Sequence, residues 1–231
     1  MSEPVRPRHR TVLAALRALD AEFLARGECY FGGGTRIVLA LGEYRESADV
    51  DFLCANREGY RALRSTVSDT SLGRIARPGV KLAREVTADR YGIRTFLDMS
   101  GHKLKFEIIL EGRIGLSGDA ASGLPVPALD AASCCAEKFL ANADRWGDEA
   151  VLGRDAIDLA FMAARWGREP LRAGAAIATE AYGKVVAGDA KRAATKMLER
   201  ADWRRRCVAA LSVTDTRTLL GGLRTIAAGR W

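Results

Sequence analysis

The stretch "FGGGTRIVLALGEYRESADVDFLC", residues 31–54, restricts this chain more than any other feature. Three consecutive glycines and Thr35 precede an apolar run, and thirteen residues separate Thr35 from Asp49 in Asp49-Val50-Asp51. "CYFGG" reads as a short buried strand ending in glycine, "TRIVLALG" as a helix behind the turn, and "DVDFLC" as a second strand. Side chains alternate faces in a strand, so Asp49 and Asp51 point to the same side, roughly 6.5 to 7 Å apart along the backbone. Two such carboxylates can share divalent cations. Mg²⁺ takes oxygen ligands, often carboxylates plus substrate phosphates, and metal-assisted phosphoryl chemistry sets two ions about 3.5 to 4 Å apart. The glycines supply the complement. A strand that turns into a helix through Gly32, Gly33 and Gly34 lets the backbone approach phosphates, with helix-start N–H groups and the Thr35 hydroxyl as donors. The spacing lets a helix run away from this cradle and the chain return in an adjacent strand.

The rest of the chain has two characters. "TVLAALRALDAEFLARG" has apolar residues at helical spacing, with Thr11 as N-cap and Gly27 as the stop, and is expected to form one helix. "EGYRALRSTVSD" also reads as helical. "VKLAREVT", "GIRTFLDMS" and "KLKFEIIL" read as strands, with turns at Gly92 and Ser100-Gly101. "GRIGLSGDAASGLPVPALD" is rich in Gly, Ser and Pro and marks an irregular connection. From Asp130 the sequence is alanine-rich and helical, in "AASCCAEKFLANADRW", "RDAIDLAFMAARWG" and "REPLRAGAAIATEAYG". The expected architecture is an α+β domain over residues 1–125, a mixed sheet flanked by helices, followed by a helical domain over 126–231.

Alternation in "KLKFEIIL" places Lys103, Lys105 and Glu107 on one face and Leu104, Phe106 and Ile108 on the other. Neighbouring strands lie about 4.8 Å apart, so Glu107 can join Asp49 and Asp51 as a metal ligand or act as general base for an attacking hydroxyl. Each assignment has a plainer counterpart. Gly-Gly-Gly-Thr alone is a tight turn, Asp-x-Asp alone a solvated strand end, and Glu107 beside two lysines a surface ion pair. The ordered combination of turn, helix and carboxylates favours the site. Arg45 and Ser47 read equally as phosphate or acceptor contacts and as exposed loop.

Charge and cysteine content limit the rest. An excess of seven positive charges and a pI near 9.4 suit a polyanionic partner. The run Arg204-Arg205-Arg206 reads as a solvated helix face, with nucleic-acid contact as the alternative. The five cysteines show no repeated C-x-x-C spacing and read as buried or idle thiols. No apolar run reaches membrane-spanning length and "MSEPVRPRHR" lacks a secretory core, so the expectation is a cytoplasmic protein without membrane contact. His9, in a basic and mobile arm, and His102, in a turn, suggest no histidine mechanism.

Gly-Gly-Thr followed at this distance by Asp-x-Asp resembles the signature of the DNA polymerase β-like nucleotidyltransferases. Within that superfamily, "GGTRIVLALGEYRESADVDF" is most similar to the AbiEii/AbiGii toxin nucleotidyltransferases, where Arg and Ser precede Asp-x-Asp-Phe. The family's helical lysine and its Arg-Asp-x-x-Asp-Leu stretch are matched by Lys138 in "CAEKFLAN" and by "RDAIDL", Arg154 to Leu159. The resemblance covers roughly residues 10–166. It implies transfer of a nucleoside monophosphate from an NTP to an acceptor with pyrophosphate release, dependent on Mg²⁺ or Mn²⁺. It also implies RNA, at a tRNA 3′ end, as acceptor and a cognate antitoxin as partner.

By the same resemblance Lys138 contacts the nucleotide phosphates, while Asp155 either orients Lys138 or helps deprotonate the acceptor. Glu107 stands where the family often has aspartate. Gly33, Gly34, Thr35, Arg45, Ser47 and Lys138 form the implied nucleotide-binding set, Asp49, Asp51 and Glu107 the metal set, with Lys138 and Asp155 completing the catalytic group. Two alternatives stay open: the same chemistry on a protein or small-molecule hydroxyl, and a module that binds NTP or RNA without turnover.

Overall fold

The computed structural model describes residues 3–231. The chain forms two compact units, one comprising residues up to Leu39 with Ser47–Asp130, the other Ala40–Glu46 with Ala131–Trp231.

The first unit begins with α1 (Pro7–Arg17) and α2 (Ala21–Arg26), two helices where periodicity predicts one. Asp20 causes the break. Its carboxylate accepts from the Phe23 N–H at 2.9 Å, capping a new helix, while its own N–H donates to Ile75 O. Helix α1 also starts earlier than the expected Thr11 cap, with Pro7 in its first turn, where a missing N–H costs nothing. Strand β1 (Cys29–Phe31) leads through the glycine turn into α3 (Gly33–Ala40), and β2 (Val50–Cys54) returns antiparallel to β1. Helix α4 (Arg57–Arg64) follows, capped by Asn56.

"VKLAREVT" forms only two short edge pieces, β3 (Lys81–Leu82) and β4 (Thr87–Ala88), both paired with β5 (Gly92–Met99). Exposed Arg84 and Glu85 sit in the break between them, a charged interruption typical of sheet edges. Strand β5 and β6 (His102–Leu110) form a hairpin whose two turn residues, Ser100 and Gly101, both have positive φ, as a tight right-twisted hairpin needs. The sheet order is β1-β2-β6-β5-β3, with β2 and β6 parallel and the other pairs antiparallel. It is a mixed sheet, as expected.

Alternation decides what the sheet buries. Leu104, Phe106 and Ile108 of β6 join Phe52 of β2 and Ile93 and Leu97 of β5 in one core with Val12 and Leu16 of α1, Leu24 of α2 and Tyr60 and Leu63 of α4. The irregular connection runs along the β1 edge. Phe31 donates to Pro127 O and accepts from Leu129 N–H, while buried Arg36 reaches Leu129 O at 3.2 Å and Asp119 at 3.0 Å. That connection therefore covers an edge that would otherwise expose unpaired backbone.

The second unit packs α5 (Ala131–Arg145), α6 (Arg154–Arg165), α7 (Arg168–Tyr182), α8 (Val185–Glu199), α9 (Ala201–Ala210) and α10 (Thr216–Ala227). Small residues let these helices approach. A Cβ on Gly222 of α10 would run into the backbone of Ala160 on α6, whereas one on neighbouring Gly221 would meet nothing within 4 Å. The segment Ala40–Glu46 belongs to this unit. Tyr44 stacks on Phe161 with centroids 3.8 Å apart, Thr214 N–H donates to Tyr44 O at 3.0 Å and Arg165 bonds Leu41 O. Among the described residues no helix is long and apolar enough to cross a membrane.

The two adjacent glycines of α10 should respond with opposite sign. Gly222→Ala is expected to cost at least ~1 to 3 kcal/mol by overpacking. Gly221→Ala, at an exposed helical position, should gain up to ~1 kcal/mol. Denaturant unfolding of both variants checks this.

Candidate active site

Parallel pairing of β2 with β6 sets the register Val50 opposite Phe106 and Asp51 opposite Glu107. Phe52 and Phe106 face the core, so Asp51 and Glu107 lie side by side on the other face, each partly exposed. Asp49 immediately precedes β2 and is also partly exposed.

The glycine turn meets this group directly. Gly33 has φ +65°, and a Cβ built there would lie 2.6 Å from Asp51 Oδ2. Only a residue without a side chain lets the carboxylate come against the turn. Gly32 N–H donates to Asp51 O at 2.8 Å, fixing turn and strand together. Gly33, Gly34 and Thr35 open α3, and the first amides of a helix have no intrahelical acceptor, which leaves donors and the positive dipole end beside Asp51.

Thr35 is fully buried, and its hydroxyl is 2.9 Å from that of Ser47. Ser47 N–H donates to His9 Nε2 at 3.3 Å. His9 is thus not in a mobile arm: it is buried in α1 and anchors the loop that leads into Asp49. Its spacing with Val12, Leu13 and Leu16 on the buried face of α1 was the available sequence signal.

Glu107 is engaged by Lys105 and, at 3.5 Å, by Arg94. Burial lowers the Lys105 pKa, but the hydrogen bond to Glu107 and the charges of Glu107, Asp51 and Asp49 outweigh it and leave the ammonium pKa raised. One cation therefore sits in the combined field of all three carboxylates. Among the described residues no three His, Cys, Asp or Glu side chains form a ready-made cage for a metal ion. The donor set still suits Mg²⁺, which commonly takes one or two carboxylates and completes its shell with phosphate and water oxygens.

Arg45, Lys138 and Asp155 lie in the second unit, in a buried ionic network. Asp155 and Asp158 are one turn apart on α6 and share a face, while Lys138 and Arg145 lie two turns apart on one face of α5. Lys138 Nζ bonds Asp155 at 2.9 Å and Asp158 at 2.8 Å, and Arg145 Nε reaches Asp155 at 2.7 Å. Arg45 grips Asp158 with two parallel bonds, Nε at 2.7 Å and Nη2 at 2.8 Å, and Tyr44 O–H adds a third at 2.6 Å. Asp158 is fully buried and accepts from three side chains, so the second acid of the matched "RDAIDL" stretch, to which the resemblance gave no role, is the hub. The signal was present as two acids at i and i+3 on an otherwise apolar face.

Burial alone would raise the Asp155 pKa. The Lys138 charge and the Arg145 hydrogen bond reverse this and hold it well below the usual carboxylate range. Asp158 is likewise depressed, burial being outweighed by Arg45 and Lys138. The Lys138 pKa is raised, because its two carboxylates overcome its burial.

The glycine turn closes on the Asp-x-Asp strand as the resemblance to nucleotidyltransferases implies, and comparison decides the family. The model of the nucleotidyl transferase AbiEii toxin family, of type IV toxin–antitoxin systems, matches residues 14–219. The chain belongs to that AbiEii family. It is a nucleotidyltransferase, and the family is one of toxins. Two solved structures support the fold. A candidate nucleotidyltransferase from H. pylori aligns with TM-score 0.55 and 18% identity, over 95% of this chain and 93% of its own. JHP933 from Helicobacter pylori aligns with TM-score 0.53 and 16% identity, over 95% and 90%. No curated protein sequence matches the chain.

In this AbiEii chain the ionic network should govern acid stability. Asp155 and Asp158 have folded pKa values below their unfolded ones, so their stabilisation is present above about pH 4, near the unfolded value, and is lost as pH falls through the folded values. Asp158→Ala, which strips Arg45 of its carboxylate, is expected to cost ~3 to 5 kcal/mol at neutral pH. It should also show a shallower acid decline than the unmodified protein. Urea unfolding between about pH 7 and pH 3 checks both.

Proposed function

We propose that this AbiEii enzyme transfers a nucleoside monophosphate from an NTP to RNA, at the 3′ end of a tRNA, and acts as the toxin of a pair with a cognate antitoxin. The observation that carries the reading is Asp51, set against the Gly33 turn on one side and beside Glu107 on the other. Helix-start amides of Gly33, Gly34 and Thr35 would donate to triphosphate oxygens, with Ser47 holding Thr35 in place.

Asp49 and Asp51, with Glu107 as a third ligand, would hold Mg²⁺ or Mn²⁺. The ion, when bound, supplies charge stabilisation at the phosphates and eases departure of pyrophosphate. For Glu107 to join, Lys105 must release it, and the ammonium is then free to meet a phosphate. An acceptor hydroxyl oxygen bonds to the α-phosphorus, the bond from that phosphorus to the pyrophosphate oxygen breaks, and a carboxylate of the group takes the hydroxyl proton.

Lys138 and Asp155 are proposed to take part in the reaction as well. Arg45, Lys138, Arg145, Asp155 and Asp158 together carry three positive charges and two negative, an excess that suits an anion. These roles rest on the family resemblance, which assigns Lys138 to a nucleotide phosphate and Asp155 to orienting it.

Incubation with Mg²⁺, total tRNA and each labelled NTP in turn tests the assignment. Label should enter tRNA with one NTP, and Asp51→Ala should lower the rate on the order of 10³-fold, the several kcal/mol such an ion contributes. Pyrophosphate release with label on protein or a small molecule instead would move the acceptor. No release with any NTP would remove the catalytic reading.

A further inference from the structure

A second polar site lies in the first unit, away from the carboxylates. Arg57, Arg61 and Arg64 recur at i, i+4 and i+7 along α4, one stripe on its exposed face, while Tyr60 and Leu63 turn into the core. Opposite them, in the turn between β4 and β5, stands Arg90 with its guanidinium 4.6 Å above the ring of Tyr91, which is 57% exposed. Together with Tyr60, Ser65, Leu110 and Gly112, the four arginines and Tyr91 line an open cleft of about 880 Å³.

None of these four arginines makes an ion pair among the described residues, though acids are near. Asp89 feels the charge of Arg64 without an ion pair and is taken up by the Tyr91 and Gly92 amides and by Arg94 at 3.5 Å, Glu111 is held by Arg113, and Glu58 projects from the first turn of α4. The contrast with the second unit is informative. There the cleft beside Trp146 is lined by Arg192, Lys196 and Arg200, which are paired with Asp189 and Glu149, and the run at Arg204 to Arg206 is spent on Glu149, Asp202 and helix carbonyls. Four like charges around one open cleft repel one another unless an anion joins them.

We infer that the Arg57–Arg61–Arg64–Arg90 cleft binds the phosphate backbone of the RNA acceptor, with Tyr91 as a stacking surface for a base. The inference rests on the reading of RNA as acceptor. Guanidinium forks match phosphate oxygens two at a time, and an aromatic face beside a basic groove takes any base. The cleft is far larger than one phosphate group requires and falls in the size range of whole ligand pockets. It opens where β2 and β6 end, about 10 Å of strand beyond the Asp51–Glu107 pair at ~3.3 Å per residue, on the α4 side of the sheet and so on the face opposite the carboxylates, which an acceptor would reach by passing round the strand ends. An acceptor held there is gripped by its backbone at a distance from the reacting end, which leaves the glycine turn to the NTP.

Fluorescence anisotropy of labelled unfractionated tRNA, titrated at several KCl concentrations, tests this. Arg57→Gln/Arg61→Gln/Arg64→Gln should weaken binding on the order of tenfold or more and reduce the slope of log affinity against log salt by about 2, at ~0.7 for each phosphate of a single strand that is no longer neutralised. Affinity for Mg²⁺ with a non-hydrolysable NTP should not change. Arg61→Gln, a single change at an exposed position, is run beside it and should lower the slope by about 0.7 even if the triple variant folds poorly.

An unchanged slope and affinity in folded variants overturns the inference. So does arginine-dependent binding of poly-glutamate without tRNA binding, which would assign the cleft to an acidic protein. If tRNA binds through the arginines yet accepts no nucleotide, the cleft stands and the acceptor reading falls. If label enters tRNA equally with both proteins at every salt concentration, the cleft falls and the acceptor reading stands.

Discussion

Parallel pairing of β2 with β6 is the interaction on which the first unit depends. It fixes Asp51 beside Glu107 and, in the same sheet, Phe52 and Phe106 in the core with ring centroids 6.1 Å apart. A slip of one residue would bury Glu107 and expose Phe106, so packing of the aromatic face and placement of the carboxylates are one constraint. The glycine turn is drawn into the same arrangement through Gly32, whose amide bonds Asp51 O. Three features that look separate along the chain therefore stand or fall with a single strand pair.

The second unit is organised around charge where the first is organised around alternation. Asp158 collects Arg45, Tyr44 and Lys138, and Lys138 in turn bonds Asp155, which Arg145 also holds. Buried pairs of this kind contribute little net stability compared with apolar packing, yet removing one partner strands the others in a medium that solvates charge poorly. The network also explains why Ala40–Glu46 joins the helices although it lies in sequence between two elements of the sheet unit. Two residues of this segment, Tyr44 and Arg45, are spent on Asp158.

Much of the fold was legible because it follows from periodicity. The alternation in "KLKFEIIL" predicts β6 and its two faces, and the glycine turn followed by Asp-x-Asp predicts β1, α3 and β2. What escaped depends on partners distant in sequence. Asp20 divides an unbroken helical pattern because a cap and an amide bond to Ile75 compete with continuation. His9 reads as part of a basic arm until Ser47 is brought to it. In the candidate site, Asp51, Glu107 and Gly33 were recognisable as residue types at the right spacing. The engagement of Glu107 by Lys105 was visible only as the plainer of two readings. Asp158 stood in the matched "RDAIDL" stretch, but its role was hidden because it lies in Arg45, 113 residues away.

The central claim is that Asp49 and Asp51 receive a metal-bound triphosphate against the glycine turn. Calorimetric titration of a non-hydrolysable NTP analogue, with and without Mg²⁺, into the unmodified protein and into Asp49→Asn/Asp51→Asn tests it most directly. Metal-dependent binding in the unmodified protein that disappears in the variant is the expected result. Binding of equal strength in both proteins, or binding indifferent to Mg²⁺, would contradict it.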